Sequence, residues 1–155
     1  MFMNSTSIRD DIGQALIELA LALPIFAILL LGAAEFAILA SAGIQISNAA
    51  RAGVAYGARN HVTAVDTPGI QLAATQDAPS ITGLTATTTQ SCTCVSSGTT
   101  TSITCSSAGT SCVSPSRIIE YVQVNTSAAV TPPIHLWGLP TSYTMRGQAI
   151  MMVQQ

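Results

Sequence analysis

GQALIELALALPIFAILLLGAAEFAILASAGI, residues 13–44, is the stretch whose reading decides the fold. From Leu19 to Ala34 it carries no charge, and after the single acid Glu35 the apolar character resumes as far as Ile44. A helix rises 1.5 Å per residue, so a hydrocarbon core of about 30 Å takes roughly 20 residues. Leu19 to about Leu39 supplies them, with Gly32 inside the span and Glu35 near one rim. Pro24 would break a soluble helix, but a membrane helix tolerates it because neighbouring helices satisfy the freed carbonyl. A cleaved secretory signal fits poorly, since the apolar part is too long and Glu18 interrupts its start.

Composition agrees with a lipid bilayer as partner. Only 8% of the 155 residues are charged and 48% are apolar, against roughly 25% charged in ordinary globular chains. The five arginines are scattered and there is no lysine, so a run of phosphates would not be neutralised and nucleic acid is excluded as a partner. A net charge of −2 also excludes disorder driven by charge.

The helical period continues beyond the span. Gln45, Asn48, Arg51 and Arg59 share one face and Ile46, Ala50, Val54 and Gly57 another, which predicts one helix from about Gln14 to Arg59. Small residues recur at spacing four, as Ala33, Ala37 and Ser41 and again as Ala49, Gly53 and Gly57. Such ridges let another helix approach closely, and glycine's cost of about 1 kcal/mol inside a helix favours that packing reading over chance. Residues 66–79, DTPGIQLAATQDAP, predict a short second helix that folds back, with Thr67 as N-cap and Pro68 at the first helical position.

From Ile81 onward threonine and β-branched residues dominate, and turn signals divide them into strands at 81–95, 101–106, 117–126 and 142–154. The last alternates Tyr143, Met145, Ala149, Met151 and Val153 with Thr144, Arg146, Gln148 and Gln154, the period of a half-buried strand. The expected fold class is therefore α+β: a long N-terminal transmembrane helix continuing out of the membrane, a short second helix, and a small antiparallel sheet with disulfide-pinned loops. The predicted organisation is a segment 1–13 ahead of the helix, the helix 14–60, a helix and linker 61–80, and a β domain 81–155.

Cys92, Cys94, Cys105 and Cys112 fall in one Ser/Thr/Gly-rich stretch, and their even number and clustering predict disulfides. Bridging Cys92 to Cys94 is strained, because residues two apart on a strand point the same way with Cα atoms about 6.5 Å apart. Cys94 with Cys105 and Cys92 with Cys112 is preferred, with Cys92–Cys105 and Cys94–Cys112 close behind. A zinc site is disfavoured by the C-x-C-x10-C-x6-C spacing, which lacks C-x2–4-C pairs on both sides. No nucleophile elbow, zinc-protease or phosphate-loop motif is present, and His61 and His135 stand alone in sequence, expected to lie apart from the cysteines. The reading is of a chain without enzymatic activity, cofactor, metal or small-molecule substrate. Trp137, in PPIHLWGLP, is expected to pack as core, and the Thr/Ser run 85–116 reads either as an adhesive surface or as a pinned loop.

Gly13 followed five residues later by Glu18 at the head of an apolar helix is hard to explain by stability, since an acid inside a membrane helix costs about 3 kcal/mol. GQALIELALALPIF at 13–26 resembles the processing site and helix of type IV prepilins, and specifically TadE-like pseudopilins of the Tad (tight adherence) pilus system. LGAAEF at 31–36, ISNAARAGVAYGARN at 46–60, the Cys-x-Cys at 92–94 and the closing YVQVN and AIMMVQ extend the resemblance over nearly the whole chain. Major pilins of that system are shorter and carry Glu-Tyr where this chain has Glu18-Leu19, so the resemblance points to a minor subunit.

The resemblance implies that residues 1–13 are a cytoplasmic leader, that a prepilin peptidase cuts between Gly13 and Gln14, and that Glu18 then meets the new amino terminus of a neighbouring subunit. It implies a bacterial inner-membrane, single-pass protein with a periplasmic C-terminal domain, working with a major pilin, a sister pseudopilin and a membrane assembly platform in pilus biogenesis and adhesion; the extracellular filament is a further expected destination. The leader is not basic, so the charge rule does not set the orientation; peptidase access and the cysteines' need for an oxidising compartment do. Two rivals are an uncleaved, membrane-tethered binding domain and a pseudopilin of a related secretion system. Glu35, 17 residues after Glu18 and on a different face, is expected to be a rim charge or a partner to a neighbouring helix.

Overall fold

The computed structural model describes residues 7–112, 114–133, 138 and 140–154; His135 and Trp137, and residues 1–6 of the segment expected ahead of the helix, lie outside them. One helix, α1, runs Ser7–Gly57 without a break at Pro24. It begins before the expected Gln14 and passes straight through Gly13. From Gln14 to Ala34 it is a free-standing apolar rod, exposed almost throughout. From Ala42 upward one face, Ala42, Ile46, Ala49, Ala50, Val54 and Ala58, is buried against the rest of the chain. Rod and head thus share one helix.

After α1 the chain turns through α2 (His61–Val65), a five-residue helix that the sequence reading missed. Asn60 caps it, accepting from Thr63 N at 2.9 Å while Thr63 Oγ1 accepts from Asn60 N at 3.1 Å. Next comes α3 (Thr67–Asp77). Its N-cap is Asp66, not Thr67: the Asp66 carboxylate accepts from Gly69 N at 3.1 Å, and Thr67 is already inside the helix. Aspartate fits the role because its carboxylate is a stronger acceptor than a hydroxyl at the positive end of a helix. α3 runs back down α1, burying Ile70 and Ala74 completely. A Cβ on Gly53 would lie 3.2 Å from Ala74 Cβ, and one on Gly57 2.9 Å from Ile70 Cδ1, so the upper small-residue ridge is used inside the chain to seat α3.

Four strands, β1 (Thr85–Ser96), β2 (Thr99–Ile103), β3 (Arg117–Val130) and β4 (Tyr143–Met152), form an antiparallel sheet in the order β2-β1-β3-β4. A two-residue turn joins β1 to β2, with positive φ at Ser97 and Gly98 as hairpin turns of this length require. The sheet's inner face, Ala86, Val122, Val124, Ala128 and Val153, closes on α1 and α3. α1 crosses nearest β4 at Gly147, where Thr126 Oγ1 donates to Ile46 O at 2.7 Å. At the far end Gln154 N donates to Ala58 O at 2.9 Å, so β4 finishes beside the top of α1.

Among the described residues, the other face of the sheet is free of helix. The register sets Thr85, Ser127 and Arg146 in one row, Thr87, Asn125 and Gln148 in the next, then Thr89, Gln123 and Ile150, then Ser91, Tyr121 and Met152.

Cys92 is joined to Cys105 and Cys94 to Cys112, with Cα atoms 5.1 and 5.6 Å apart. This is the second of the pairings left open above and corrects the preferred one. The turn at Ser97-Gly98 sets Cys94 opposite Thr101 and Cys92 opposite Ile103. Cys105, two residues past Ile103, therefore leaves the hairpin at the level of Cys92. A 3-10 turn (Cys105–Ser107) and a single helical turn, α4 (Ala108–Ser111), then carry the chain to Cys112.

Candidate functional site

The head of the rod carries the residues singled out for processing and assembly. Gly13 and Gln14 lie within continuous helix. Gln14 Nε2 donates to Glu18 Oε1 at 3.2 Å, one turn apart, and both residues are exposed. Among the described residues Glu18 is thus a carboxylate on an apolar rod whose one partner is a neutral amide of its own helix, leaving its second oxygen open to a further donor. Leu19 and Pro24 are exposed on the same rod, and a Cβ on Gly32 would meet nothing within 4 Å. Ala33, Ala37 and Ser41, the lower small-residue ridge, are exposed as well, whereas Ala49, Gly53 and Gly57 are buried by the head. One ridge is occupied within the chain and the other is open to another helix.

Glu35 marks the boundary between them. It is only 4% exposed, and among the described residues its Oε2 has no hydrogen-bond partner. By its 100° spacing it belongs to the face of Ala42, Ile46 and Gly53, which turns toward the head. An acid oxygen buried without a donor is costly, so Glu35 is a carboxylate buried at the junction, where a donor from another element would satisfy it.

The structure brings His61 together with Glu120, which the sequence reading did not foresee. His61 Nδ1 lies 2.8 Å from Glu120 Oε2, and Gln90 Nε2 donates to Glu120 Oε1 at 2.7 Å. Glu120 is 6% exposed on the inner face of β3. The available signal was parity: Glu120 falls in step with Val122, Val124, Thr126 and Ala128, and an acid at such a position must find donors. His61, expected apart from the cysteines, borders with Glu120 and the Cys92–Cys105 disulfide a recess of about 580 Å³. Both oxygens of Glu120 are taken and the neighbouring sulfurs are bonded to each other, so the arrangement fastens α2 to β3 and β1 and offers no nucleophile among the described residues. At the head of α3, Tyr56 Oη donates to Asp66 Oδ2 at 2.8 Å, and this bond to the carboxylate holds the phenol above its ordinary 10.0.

Residues 13–55 match the family model described as TadE-like protein. The long helix is TadE-like. The match takes in the rod, Glu18, Glu35 and the start of the docked face, and it ends before the sheet; the likeness read in the cysteines and closing strands lies beyond it. Neither the comparison with curated proteins nor that with solved structures gives a match. The TadE-like family is structural, not catalytic, and belongs to a pilus assembly system with other pilins. A TadE-like helix of this length and apolarity fits a single-pass membrane anchor.

Proposed function

We propose that this chain is a minor pseudopilin subunit of a tight-adherence pilus system, cleaved after Gly13 by a prepilin peptidase and contributing to pilus biogenesis and surface adhesion. The observation that carries the reading is the match of residues 13–55 to the TadE-like family model, over a helix long and apolar enough to cross a membrane. Leu19 to Leu39, at 1.5 Å per residue, is about 31 Å long, one hydrocarbon thickness. The span is accordingly placed at about 19–39, with Glu18 at its inner edge and Glu35 near its outer edge, under the head.

In this arrangement the amino terminus faces the cytoplasm of the inner membrane and the disulfide-bonded head the periplasm. Cleavage would place a new ammonium at Gln14, and a neighbouring subunit's ammonium would supply the open oxygen of Glu18 with a charged donor. In lipid, neither charge is tolerated alone. The pair therefore rewards one stagger between adjacent subunits. The ridge Ala33, Ala37, Ser41 lets the major pilin or a sister pseudopilin pack closely along it.

The test is co-expression with and without the candidate prepilin peptidase, followed by amino-terminal sequencing and intact mass of the membrane-extracted chain. A chain beginning at Gln14 only when the active peptidase is present is expected. A chain still beginning at Met1 with that peptidase active would overturn the reading and favour a tethered binding domain.

A further inference from the structure

We infer that the helix-free face of the sheet is a binding surface for an acidic polysaccharide, a polymer of uronic-acid-type sugars. The face lies in the head, so the inference goes beyond the pilus reading and holds for the cleaved and the uncleaved chain alike.

Charge comes first. The chain has a net charge of −2, yet this face carries Arg117 and Arg146, both exposed, and no acid among the described residues. Glu120 points to the opposite side of the sheet, Asp66 and Asp77 flank α3, and Glu18 and Glu35 belong to α1. Arg117 and Arg146 have no carboxylate within ion-pair distance among the described residues. Arg117 opens β3, and Arg146 on β4 pairs with Ser127, ten residues farther along β3, which at 3.4 Å per residue sets the two about 34 Å apart along the sheet. That is the reach of several sugar rings laid end to end.

Between the arginines the side chains suit sugars better than any other polyanion. Thr85 Oγ1 and Thr87 Oγ1 donate to Ser127 O and Asn125 O at 3.0 and 3.4 Å. Their protons are spent on the neighbouring strand, and their lone pairs remain for sugar hydroxyls. Gln123 Nε2 donates to Asn125 Oδ1 at 3.1 Å, which leaves Gln123 Oε1 as an acceptor and Asn125 Nδ2 as a donor in fixed positions. Thr85, Thr87 and Asn125 border a shallow recess of about 470 Å³ that also takes in Arg146. Farther along, Tyr121 sits between Ser91 and Met152 and offers a flat apolar ring to the C–H face of a sugar. Two arginines can pair with carboxylates bidentately, whereas they are too few to hold a phosphate polymer by counterion release. An acidic sugar chain needs all three features together.

The test uses the full-length chain in nanodiscs of zwitterionic lipid, at about 150 mM salt, where bulk charge is screened beyond about 8 Å. The probes are polygalacturonate, neutral dextran and duplex DNA. Polygalacturonate is expected to bind and dextran to bind at least about tenfold more weakly, with DNA no tighter than dextran. Arg117→Gln with Arg146→Gln, and separately Tyr121→Ala, are expected to weaken polygalacturonate at least about tenfold, while Arg59→Gln on the opposite side changes nothing. Unaltered melting of the arginine variant shows that the head is intact. No binding of polygalacturonate, equal binding of DNA, or an equal loss in Arg59→Gln would each overturn the inference.

Discussion

Gly147 is where the helix and the sheet come closest, and the absence of a side chain there is what allows it. A Cβ at this position would stand 2.7 Å from Ile46 O, 2.7 Å from Thr126 Oγ1 and 2.9 Å from Ser47 Cα. Two of those atoms are backbone and cannot rotate away. Gly147→Ala is therefore expected to destabilise the head by about 1–3 kcal/mol, the usual cost of overpacking. Gly32→Ala, with nothing within 4 Å, serves as the control and is expected to leave stability unchanged or slightly raised. Urea unfolding of both variants in detergent decides it, and an equal midpoint shift in the two would remove the contact argument. Both glycines are visible in the sequence, but only the fold separates them. Glu35 and Glu120 differ in the same way. Each reads as a lone acid among apolar residues, and the sequence does not say that Gln90 and His61 come from distant elements to meet one and that no donor among the described residues meets the other's Oε2.

At the level of elements, the junction between α2 and α3 depends on one carboxylate used twice. Asp66 accepts from Gly69 N through Oδ1 and from Tyr56 Oη through Oδ2. Asp66→Ala is expected to cost about 1 kcal/mol as a lost N-cap. It should also return the Tyr56 phenol from its raised value toward 10.0. The sign follows from linkage: a phenol that holds its proton more tightly when folded contributes stability below about pH 10, which is lost as pH rises through the folded value. Absorbance titration of the tyrosines with and without the substitution reads this directly, and an unchanged titration would show that the bond does not form in solution. α1 was legible because its apolar run is long and its period persists past the membrane. α2 was not, since five residues cannot display a period, although the capping pair Asn60 and Thr63 was there to be read. The strands were legible from alternation, but the cysteine order depended on a register that follows from the two-residue turn.

For the whole molecule, the division of labour between disulfides and core sets the order of unfolding. The apolar cluster that joins α1, α3 and the sheet, Val54, Ile70, Ala74, Val122 and Val124 among others, contains no cysteine. The bridges instead close short loops, of 13 and 18 residues in sequence separation, at the end of the head far from the rod. Each loop closure contributes about 3 kcal/mol by the chain-entropy argument. Reduction is accordingly expected to abolish amide protection from Cys92 to Ser116 while β3 from Val122 to Ala128 keeps its own, as hydrogen exchange with and without reductant will report. Simultaneous loss in both regions would mean that the head unfolds as one unit.

A continuous helix shared by rod and head has a mechanical consequence. Tension applied to the head enters α1 along its side, through attachments spread from Thr126 on Ile46 to Gln154 on Ala58, about 18 Å of axis at 1.5 Å per residue. Such a joint is loaded in shear, with its bonds bearing the force together, rather than being peeled one after another. Below it no loop interrupts the helix, so the strain passes directly into the apolar rod. The first place in that rod to yield is the turn around Pro24, where a backbone hydrogen bond is already missing.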